Sequence, residues 1–349
     1  MNTARPSPGT TVSAAAEASP SGRWPASASE RDGLVLQQRP RRAAHDPWRH
    51  QGAIVEDEPT VGGDVARVAT IFLTGRECPW RCTMCDLWKY TIQIDTPAGA
   101  LPAQVGAGLA ELRRAGEAPA HVKLYNAGSF FDPRAVPPSD YDAIAAALAG
   151  IDHVIVESHP ALVGAAVDRW QTTLAAGERR PAANLEVALG LETAHPQALD
   201  ALNKRMTVAS FARAASYLRD RGVGVRVFLL VHPPFVPAAE RRAWLCRSVE
   251  FAFASGASAI SLIPTRAGNG TVDRFVASGM FSLPTLSDLE DAFELALGVG
   301  GGRVFADLWD LDGLSRCDAC VAARRDRLMR ANLRQQRLPG VVCDQCGAS

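Results

Sequence analysis

Residues 73–91 decide the fold and read LTGRECPWRCTMCDLWKYT. Three cysteines, Cys78, Cys82 and Cys85, are spaced C-x3-C-x2-C and directly follow a strand-like run, ARVATIFLT, at 66–74. Thiolates are soft ligands that suit iron–sulfur clusters, and three of them leave one iron of a four-iron cluster without a protein ligand. A three-cysteine zinc or redox site is the alternative interpretation of this spacing.

Around this loop, strand-like and helix-like segments alternate. Further strands are predicted at 121–127, 153–158, 185–192, 224–231 and 259–264. Helices are predicted near 102–115, 139–149, 161–175, 207–221, 239–255 and 285–298. Six βα units in succession predict an α/β protein with an incomplete (β/α)6 TIM-like barrel. In such barrels the chemistry lies in the loops that follow the carboxyl ends of the strands.

The domain organisation follows from composition. We expect residues 1–45 to be a disordered tail, 46–300 to form the barrel domain, and 301–349 to form a small cysteine-rich, metal-binding extension. The 349 residues are 47% hydrophobic and carry no formal net charge, so the chain as a whole has no electrostatic signature of nucleic-acid or membrane binding. We predict a cytoplasmic protein because no signal-peptide pattern and no apolar run of bilayer-spanning length is present.

The cysteine loop resembles the signature of the radical S-adenosylmethionine (SAM) superfamily, in which Met84 would occupy the position before the last cysteine. The resemblance implies that Cys78, Cys82 and Cys85 hold a [4Fe–4S] cluster whose open iron is chelated by SAM. It also implies one-electron cleavage of SAM to a 5′-deoxyadenosyl radical, which abstracts a hydrogen atom from the substrate. The expected partner is a one-electron reductant of flavodoxin or ferredoxin type.

Polar residues follow the second and third predicted strands. Asn126, Gly128 and Ser129 lie where the superfamily carries a glycine-rich segment that contacts SAM, although NAGS replaces the common GGE. Glu157 and His159 lie in ESHP, which is similar to a segment of the branch containing methylthiotransferases, coproporphyrinogen dehydrogenases and Elongator-type tRNA enzymes. The resemblance assigns Glu157 to SAM, while an ordinary turn and a helix cap are the alternatives for the two segments.

The fourth strand is followed by two more segments that resemble this branch. Glu192 ends the GLET segment, and Lys204 and Arg205 lie in LNKRMT. The resemblance places Glu192 on the ribose of SAM and either Arg205 or Lys204 on its carboxylate, a charge-assisted contact that suits a guanidinium.

Three further residues are substrate candidates, namely His159, His232 and Arg266, of which the last two follow the fifth and sixth strands. Structural roles remain open for His232 and Arg266. Taken together, the motifs are closest to those of archaeosine-type radical SAM proteins, which act on a lysine-bearing deazaguanine base in tRNA. That resemblance makes tRNA a candidate substrate.

The chain ends in two C-x2-C pairs, Cys317/Cys320 and Cys343/Cys346. Four thiolates fit a tetrahedral zinc site. An auxiliary iron–sulfur cluster is the rival, because many radical SAM enzymes carry one and the spacing does not choose the metal.

An arginine-rich segment lies between the two cysteine pairs, with Arg324, Arg325, Arg327, Arg330, Arg334 and Arg337. Four of these arginines, from Arg327 onward, recur at three- and four-residue spacing and are predicted to share one helical face. That face either binds RNA phosphates or pairs with acidic residues at the barrel rim.

Three functions are compatible with these patterns. The first is a radical SAM enzyme acting on a tRNA base, and the second is a radical SAM enzyme acting on a small metabolite. The third is a zinc-binding nucleic-acid module whose barrel is only a scaffold, which leaves the three cysteines after the first strand unexplained.

Overall fold

A computed structural model describes residues 24–176 and 184–347. Eight strands in these residues form one sheet in sequential order. They are β1 (Gly52–Pro59), β2 (Val65–Phe72), β3 (His121–Tyr125), β4 (His153–Ser158), β5 (Asn184–Glu192), β6 (Gly224–Val231), β7 (Ala259–Pro264) and β8 (Arg303–Ala306). β1 is antiparallel to β2, and all later neighbours are parallel. The predicted TIM-like α/β fold is confirmed, and the sheet has two more strands than the six that we expected.

Helices cover the outside of this sheet. They are α1 (Ala28–Gln38), α2 (Ala100–Arg114), α3 (Tyr141–Ala147), α4 (Ala165–Ala176), α5 (Pro196–Ala201), α6 (Val208–Arg219), α7 (Arg241–Ala254), α8 (Thr271–Ala277), α9 (Leu286–Val299) and α10 (Asp318–Arg334). Side-chain caps define where several begin: the hydroxyls of Thr207 and Thr285 accept hydrogen bonds from the third residues of α6 and α9. None of the described helices combines the length and apolar character that a membrane crossing requires.

The two additional strands have weak sequence signals. β1 has the sequence GAIVEDEP, and β8 has only four residues, so neither gives a long apolar run. β1 and β8 are the free edges of the sheet. Arg303 at the start of β8 spans the gap between them, because its Nη1 donates a hydrogen bond to the Pro59 carbonyl at 3.1 Å. Since β8 belongs to the sheet, the expected domain boundary at residue 300 lies inside the barrel.

The edge of β8 is covered by two amide side chains at the carboxyl end of α10, one inside the helix and one directly after it. The Asn332 amide accepts from the Ala306 N–H at 2.8 Å and donates to the Ala306 carbonyl at 2.9 Å. Gln335 does the same for Val304, at 2.7 and 2.8 Å. Backbone groups of an edge strand need partners when they are covered by protein. These amides therefore supply the hydrogen bonds that a ninth strand would make.

Charged residues fill the amino-terminal end of the barrel, opposite the cysteine loop. Arg226 is buried and donates to Glu58 at 2.9 Å and to Glu186 at 2.6 Å. Lys123 also pairs with Glu58, and Arg303 pairs with Glu186 at 3.0 Å. Burial alone would raise the pKa of Glu58, but Arg226 and Lys123 lower it to about 2. The pairing keeps these buried charges compensated and ties five strands together.

The amino-terminal segment corrects one prediction. Residues 24–45, expected to be disordered, contain α1, while residues 1–23 lie outside the described residues. The buried Arg31 donates to the Asp200 carboxylate at 2.8 Å. After α1 the chain passes so close to Gly270 that a Cβ there would lie 1.9 Å from the Gln38 carbonyl oxygen. Contacts with residues distant in sequence thus order a segment whose composition predicts disorder.

We expect the double substitution Asn332→Ala/Gln335→Ala to lower the free energy of unfolding by about 2–4 kcal/mol, because four hydrogen bonds to the β8 edge are lost. Urea denaturation followed by circular dichroism would measure it. Arg334→Ala, an exposed position on the same helix, is the control and should change stability by less than about 0.5 kcal/mol. Equal stability of the double variant and the control would contradict the role given to the amides.

Candidate functional site

The cysteine loop follows β2 and is clamped by residues from two other strand ends. The Thr83 N–H donates to the Leu202 carbonyl at 2.9 Å, and the Asn269 amide donates to the Thr83 carbonyl at 2.9 Å. The Asn203 amide donates to the Arg81 carbonyl at 2.9 Å. The loop therefore has a fixed position over the carboxyl end of the barrel, where barrel enzymes carry their chemistry.

The three loop thiols are less tightly grouped than the ligands of a single ion would be. Cys78, Cys82 and Cys85 are half-buried, and burial raises the pKa of each thiol to about 12. Among the described residues they do not form a group whose ligand atoms all lie within 4.8 Å. Ligands of one zinc ion would lie about 3.8 Å apart, since Zn–S bonds are about 2.3 Å long. The three thiols are therefore not arranged as a compact set of ligands for one zinc ion, whereas in a multi-iron cluster each thiolate bonds a different iron.

A buried ion pair lies beside these thiols. Lys204 Nζ contacts Glu192 Oε1 at 2.7 Å, and both side chains are about nine-tenths buried. Burial opposes the charge on Lys204, but the Glu192 carboxylate and the neighbouring Cys82 hold its pKa above the usual range. Gly190 on β5 makes room for the pair, because a Cβ there would lie 2.3 Å from Glu192 Oε1 and 2.5 Å from Lys204 Nζ. The sequence therefore places a cation next to the cysteine loop.

Polar atoms without partners lie at the ends of β3 and β4. Both side-chain atoms of Asn126 and Oε1 of Glu157 are buried and have no hydrogen-bond partner among the described residues. Burial raises the pKa of Glu157 to about 7, although the backbone N–H groups of Asn126, Ala127 and Gly128 favour its ionised form. Unsatisfied buried donors and acceptors are costly in a folded protein. Their presence at this rim fits residues that hydrogen-bond to a ligand.

His159 links these two strand ends to the cysteine loop. Its ring stacks on Trp80 with centroids 3.7 Å apart. Burial lowers the pKa of His159 to about 3, so the imidazole is neutral at pH 7. Because Nδ1 accepts from the Ala161 N–H, Nε2 carries the proton and donates to the Lys204 carbonyl at 2.8 Å. The Ser129 hydroxyl accepts from the His159 N–H at 2.9 Å, so this histidine and Ser129 position backbone around the site.

Three strand ends share an uncommon backbone conformation. Ala127, Glu192 and His232 have φ values of 55°, 67° and 55°, and they directly follow or end β3, β5 and β6. Left-handed conformations at residues other than glycine cost energy and cluster at functional sites. Their occurrence at one end of one barrel marks that end as the functional one.

A cavity of about 360 Å³ lies on the β5–β6 side of this rim and includes Glu192 and His232 in its lining. Arg241 Nη1 donates to His232 Nδ1 at 3.1 Å, and His232 Nε2 faces Asp288 at 3.4 Å. Burial and Arg241 lower the pKa of His232, while Asp288 opposes them. The predicted substrate residue His232 thus lies in a cavity shared with a predicted SAM residue. Arg266 instead pairs with Asp307 at 2.8 Å.

Two other predicted SAM residues point elsewhere. Arg205 pairs with Asp32 of α1 at 2.6 Å and its side chain is 40% exposed. Met84 packs in an apolar cluster with Trp24, Phe235 and Phe275. Of the two cations that the sequence offered for the SAM carboxylate, Lys204 is the one beside the thiols.

The four carboxy-terminal cysteines form a compact group within 4.8 Å, and all are free thiols. The Sγ atoms of Cys317 and Cys343 lie 3.9 Å apart, and those of Cys320 and Cys346 lie 3.8 Å apart. These distances match the spacing of about 3.8 Å between tetrahedral ligands of one zinc ion. Backbone hydrogen bonds from Cys346 and Gln345 lower the pKa of Cys343 to about 7, which favours the thiolate that a metal requires. The grouping of the four cysteines that the predicted metal site requires is confirmed.

The arginines between these cysteine pairs do not form one exposed face. Arg324 and Arg327 are buried, and both pair with Glu290 on α9. Arg327 also pairs with Glu294, and Arg337 lies beyond the end of α10 and donates to the Glu294 carbonyl at 2.9 Å. The alternative of pairing with acidic residues of the barrel is therefore confirmed for Arg324 and Arg327.

Sequence comparisons identify relatives among archaeal proteins. The chain is 29% identical over 236 residues to archaeosine synthase subunit beta of Methanosarcina acetivorans, which covers 65% of this chain and 66% of that protein. It is 30% identical over 159 residues to archaeosine synthase subunit beta of Thermococcus kodakarensis, or 44% of this chain and 47% of that one. The matches thus span two thirds of one relative and about half of the other. No family model matches the chain.

The fold has a solved counterpart in the archaeal Elp3 of Methanocaldococcus infernus, studied without its residues 1–46. The TM-score is 0.51 at 13% identity, over 67% of this chain and 60% of that one. At this level of identity the likeness shows the shared fold.

Sequence reasoning missed two residues of the cysteine loop that contact other parts of the chain. Trp80, which stacks on His159, lies inside the loop, and its only signal was an aromatic residue among the cysteines. Glu77 directly precedes Cys78 and pairs with Arg39 and Arg42 of the segment after α1. Nothing local in the sequence shows those pairs, because they join residues more than 30 positions apart.

We expect Gly190→Ala to lower the free energy of unfolding by about 3 kcal/mol, because the added methyl group occupies the space of the Glu192–Lys204 pair and leaves buried charges uncompensated. Chemical denaturation would measure the change. The matched control is Gly106→Ala on α2, where no atom lies within 4 Å of the added Cβ, and it should raise stability by up to about 1 kcal/mol. A neutral Gly190→Ala variant would refute the steric argument.

Proposed function

We propose that this protein is a radical SAM enzyme in which Cys78, Cys82 and Cys85 hold a [4Fe–4S] cluster. The observation that carries the proposal is a set of three loop thiols at the carboxyl end of the barrel, beside the buried Lys204 and the unpartnered Oε1 of Glu157. The chemistry that the cluster supplies when bound is one-electron cleavage of SAM to a 5′-deoxyadenosyl radical, which takes hydrogen from a substrate.

The residues of the rim have complementary tasks in this proposal. The Lys204 ammonium pairs with the carboxylate of SAM, while Asn126 and Glu157 hydrogen-bond to its amino group. Glu192 holds Lys204 in place and lines the cavity that contains His232, so it connects the SAM site with the substrate site. His159 holds the cysteine loop and the backbone of Lys204 in fixed positions relative to each other.

For the substrate, we propose a base in tRNA. The support is the sequence similarity to proteins named archaeosine synthase subunit beta, together with the matching motifs at the strand ends. A small metabolite in the 360 Å³ cavity is the second candidate. A purely scaffolding barrel would leave the thiols and the strained strand ends without a purpose. The electron comes from a flavodoxin- or ferredoxin-type donor in the cytoplasm, where thiol clusters stay reduced.

We further propose that the carboxy-terminal thiols hold zinc rather than a second iron–sulfur cluster. The support is the spacing of 3.8–3.9 Å between paired sulfur atoms, which suits four ligands on one ion. A four-iron cluster separates its ligand sulfurs further, because each bonds a different iron. The ion would fix the start of α10, the helix that covers the β8 edge.

Cys82→Ala is expected to abolish 5′-deoxyadenosine formation from SAM and dithionite and to remove the absorbance near 400 nm after anaerobic reconstitution, while the circular dichroism spectrum is preserved. Cys246→Ala, a half-buried thiol on α7, is the matched control and should keep both signals. SAM cleavage at the wild-type rate by the Cys82 variant would end the cluster assignment.

Cys343→Ser/Cys346→Ser should lose about one zinc ion per chain and lower the free energy of unfolding by about 3 kcal/mol or more, because metal binding stabilises the folded extension. Elemental analysis by plasma mass spectrometry gives the metal content. Iron bound after reconstitution should be unchanged in this variant and lost in Cys82→Ala. If the serine variant instead loses iron, the site holds an auxiliary cluster.

A further inference from the structure

A second cavity, of about 550 Å³, lies on the outer side of the cysteine loop and is not used by the proposed SAM site. We refer to it as the arginine cavity, because five arginines line it: Arg39, Arg42, Arg76, Arg81 and Arg134. Two come from the segment after α1, two from the cysteine loop and one from the loop after β3. Three separate segments of the chain thus bring five guanidinium groups together.

The acids around the arginine cavity do not balance these charges. Glu77 accepts from Arg39 at 2.6 Å, pairs with Arg81 at 3.1 Å, and also pairs with Arg42. Burial would raise the pKa of Glu77, but the hydrogen bonds from Arg42 and Arg39 lower it, so it stays ionised. The remaining acids are Asp95, which pairs with Arg76 and Arg134, and Asp132 in the lining. Five cations against three anions leave two positive charges in excess.

The cavity is also rich in unused donors. Nε of Arg39, Nε of Arg42 and Nε1 of Trp88 are buried and have no acceptor within the described part of the chain. Only 8% of the Arg39 side chain is exposed. Both guanidinium groups lie over the Trp88 ring, at 4.7 and 5.5 Å from its centroid. Packing therefore fixes these donors in position before any ligand arrives.

We infer that the arginine cavity binds a phosphate group carried by the substrate. Forked guanidinium groups match phosphate oxygens, which accept several hydrogen bonds and neutralise the charge excess. The recessed position of Arg39 and Arg42 suits a small anionic group better than the flat surface of an acidic protein. Because Glu77 and Arg81 flank Cys78, a phosphate held here would place the rest of the substrate beside the cysteine loop. That the phosphate belongs to the substrate rests on the proposed function, whereas phosphate binding itself does not.

The test measures binding of a fluorescently labelled, short single-stranded RNA by anisotropy over a salt series, with inorganic pyrophosphate and AMP as competitors. The variant is Arg42→Met/Arg134→Met, which leaves Arg39 and Arg81 on Glu77 and Arg76 on Asp95. We expect binding to weaken about tenfold and the slope of log K against log salt to fall by about 1–2. Competition by AMP as strong as that by RNA would identify a nucleotide rather than a polynucleotide as the source of the phosphate.

The control Arg213→Met/Arg247→Met removes the same charge from exposed positions on α6 and α7 and should bind RNA like the wild type. Arg42→Lys/Arg134→Lys keeps the charge without the forked guanidinium, and it replaces the methionine variant if that variant folds poorly. Its RNA affinity should lie between those of the wild type and the methionine variant. Unchanged RNA binding in the methionine variant, or an equal loss in the control, overturns the inference. Retained RNA binding in the methionine variant, together with slower reduction of that variant by a flavodoxin, also overturns the inference. This result would assign the cavity to an acidic protein partner.

SAM cleavage without substrate separates this inference from the proposed function. Wild-type protein that binds RNA through the arginine cavity but does not cleave SAM would refute the radical SAM proposal alone. Protein that cleaves SAM but binds neither RNA, AMP nor pyrophosphate would refute the arginine cavity alone.

Discussion

Closure of the sheet is the constraint on which the rest of this structure depends. The eight strands run in order from β1 to β8, and the first and last do not pair. An open parallel sheet with an unprotected edge cannot hold its strand ends in a ring. Here Arg303 spans the gap to β1, and the amides of Asn332 and Gln335 satisfy β8. The carboxyl ends of the strands can then face one another across a common rim.

Charge is distributed unequally along the barrel axis. At the amino-terminal end, Arg226, Glu58 and Glu186 compensate each other inside the sheet. At the opposite end, Asn126 and Glu157 have atoms without partners, and three strand ends have left-handed backbone. Ion pairs compensate the buried charges at the first end, while the unpartnered atoms of Asn126 and Glu157 at the second are available to a ligand.

The sequence predicted the elements with continuous apolar patterns and missed those that depend on distant partners. The strands at 153–158, 224–231 and 259–264 were predicted with the bounds that the structure has, because both of their faces are buried. β1 was missed because its inward residues include Glu58, whose partners come from β3 and β6. α1 was missed for a similar reason: its burial depends on contacts with residues around 200 and 270, which no local pattern reveals.

The candidate site likewise has features that local motifs predict and features that depend on distant residues. The position of the cysteine loop and the participation of Glu157 and Glu192 could be inferred from motifs at strand ends. The choice between Lys204 and Arg205 could not, because adjacent residues of the same charge are distinguished only by backbone direction. Arg205 has φ 57° and faces Asp32, while Lys204 faces the thiols. The arginine cavity was equally hidden, since its cations come from segments far apart in the chain.

The docking of α1 has a consequence for how the molecule is made. Arg31 contacts Asp200, 169 positions later in the chain, and Gln38 lies against Gly270. A nascent chain therefore carries α1 undocked until most of the barrel has left the ribosome, and contacts of such long range form late. The final seating of this amino-terminal helix is thus a late step, which follows synthesis of the chain up to the seventh strand and beyond.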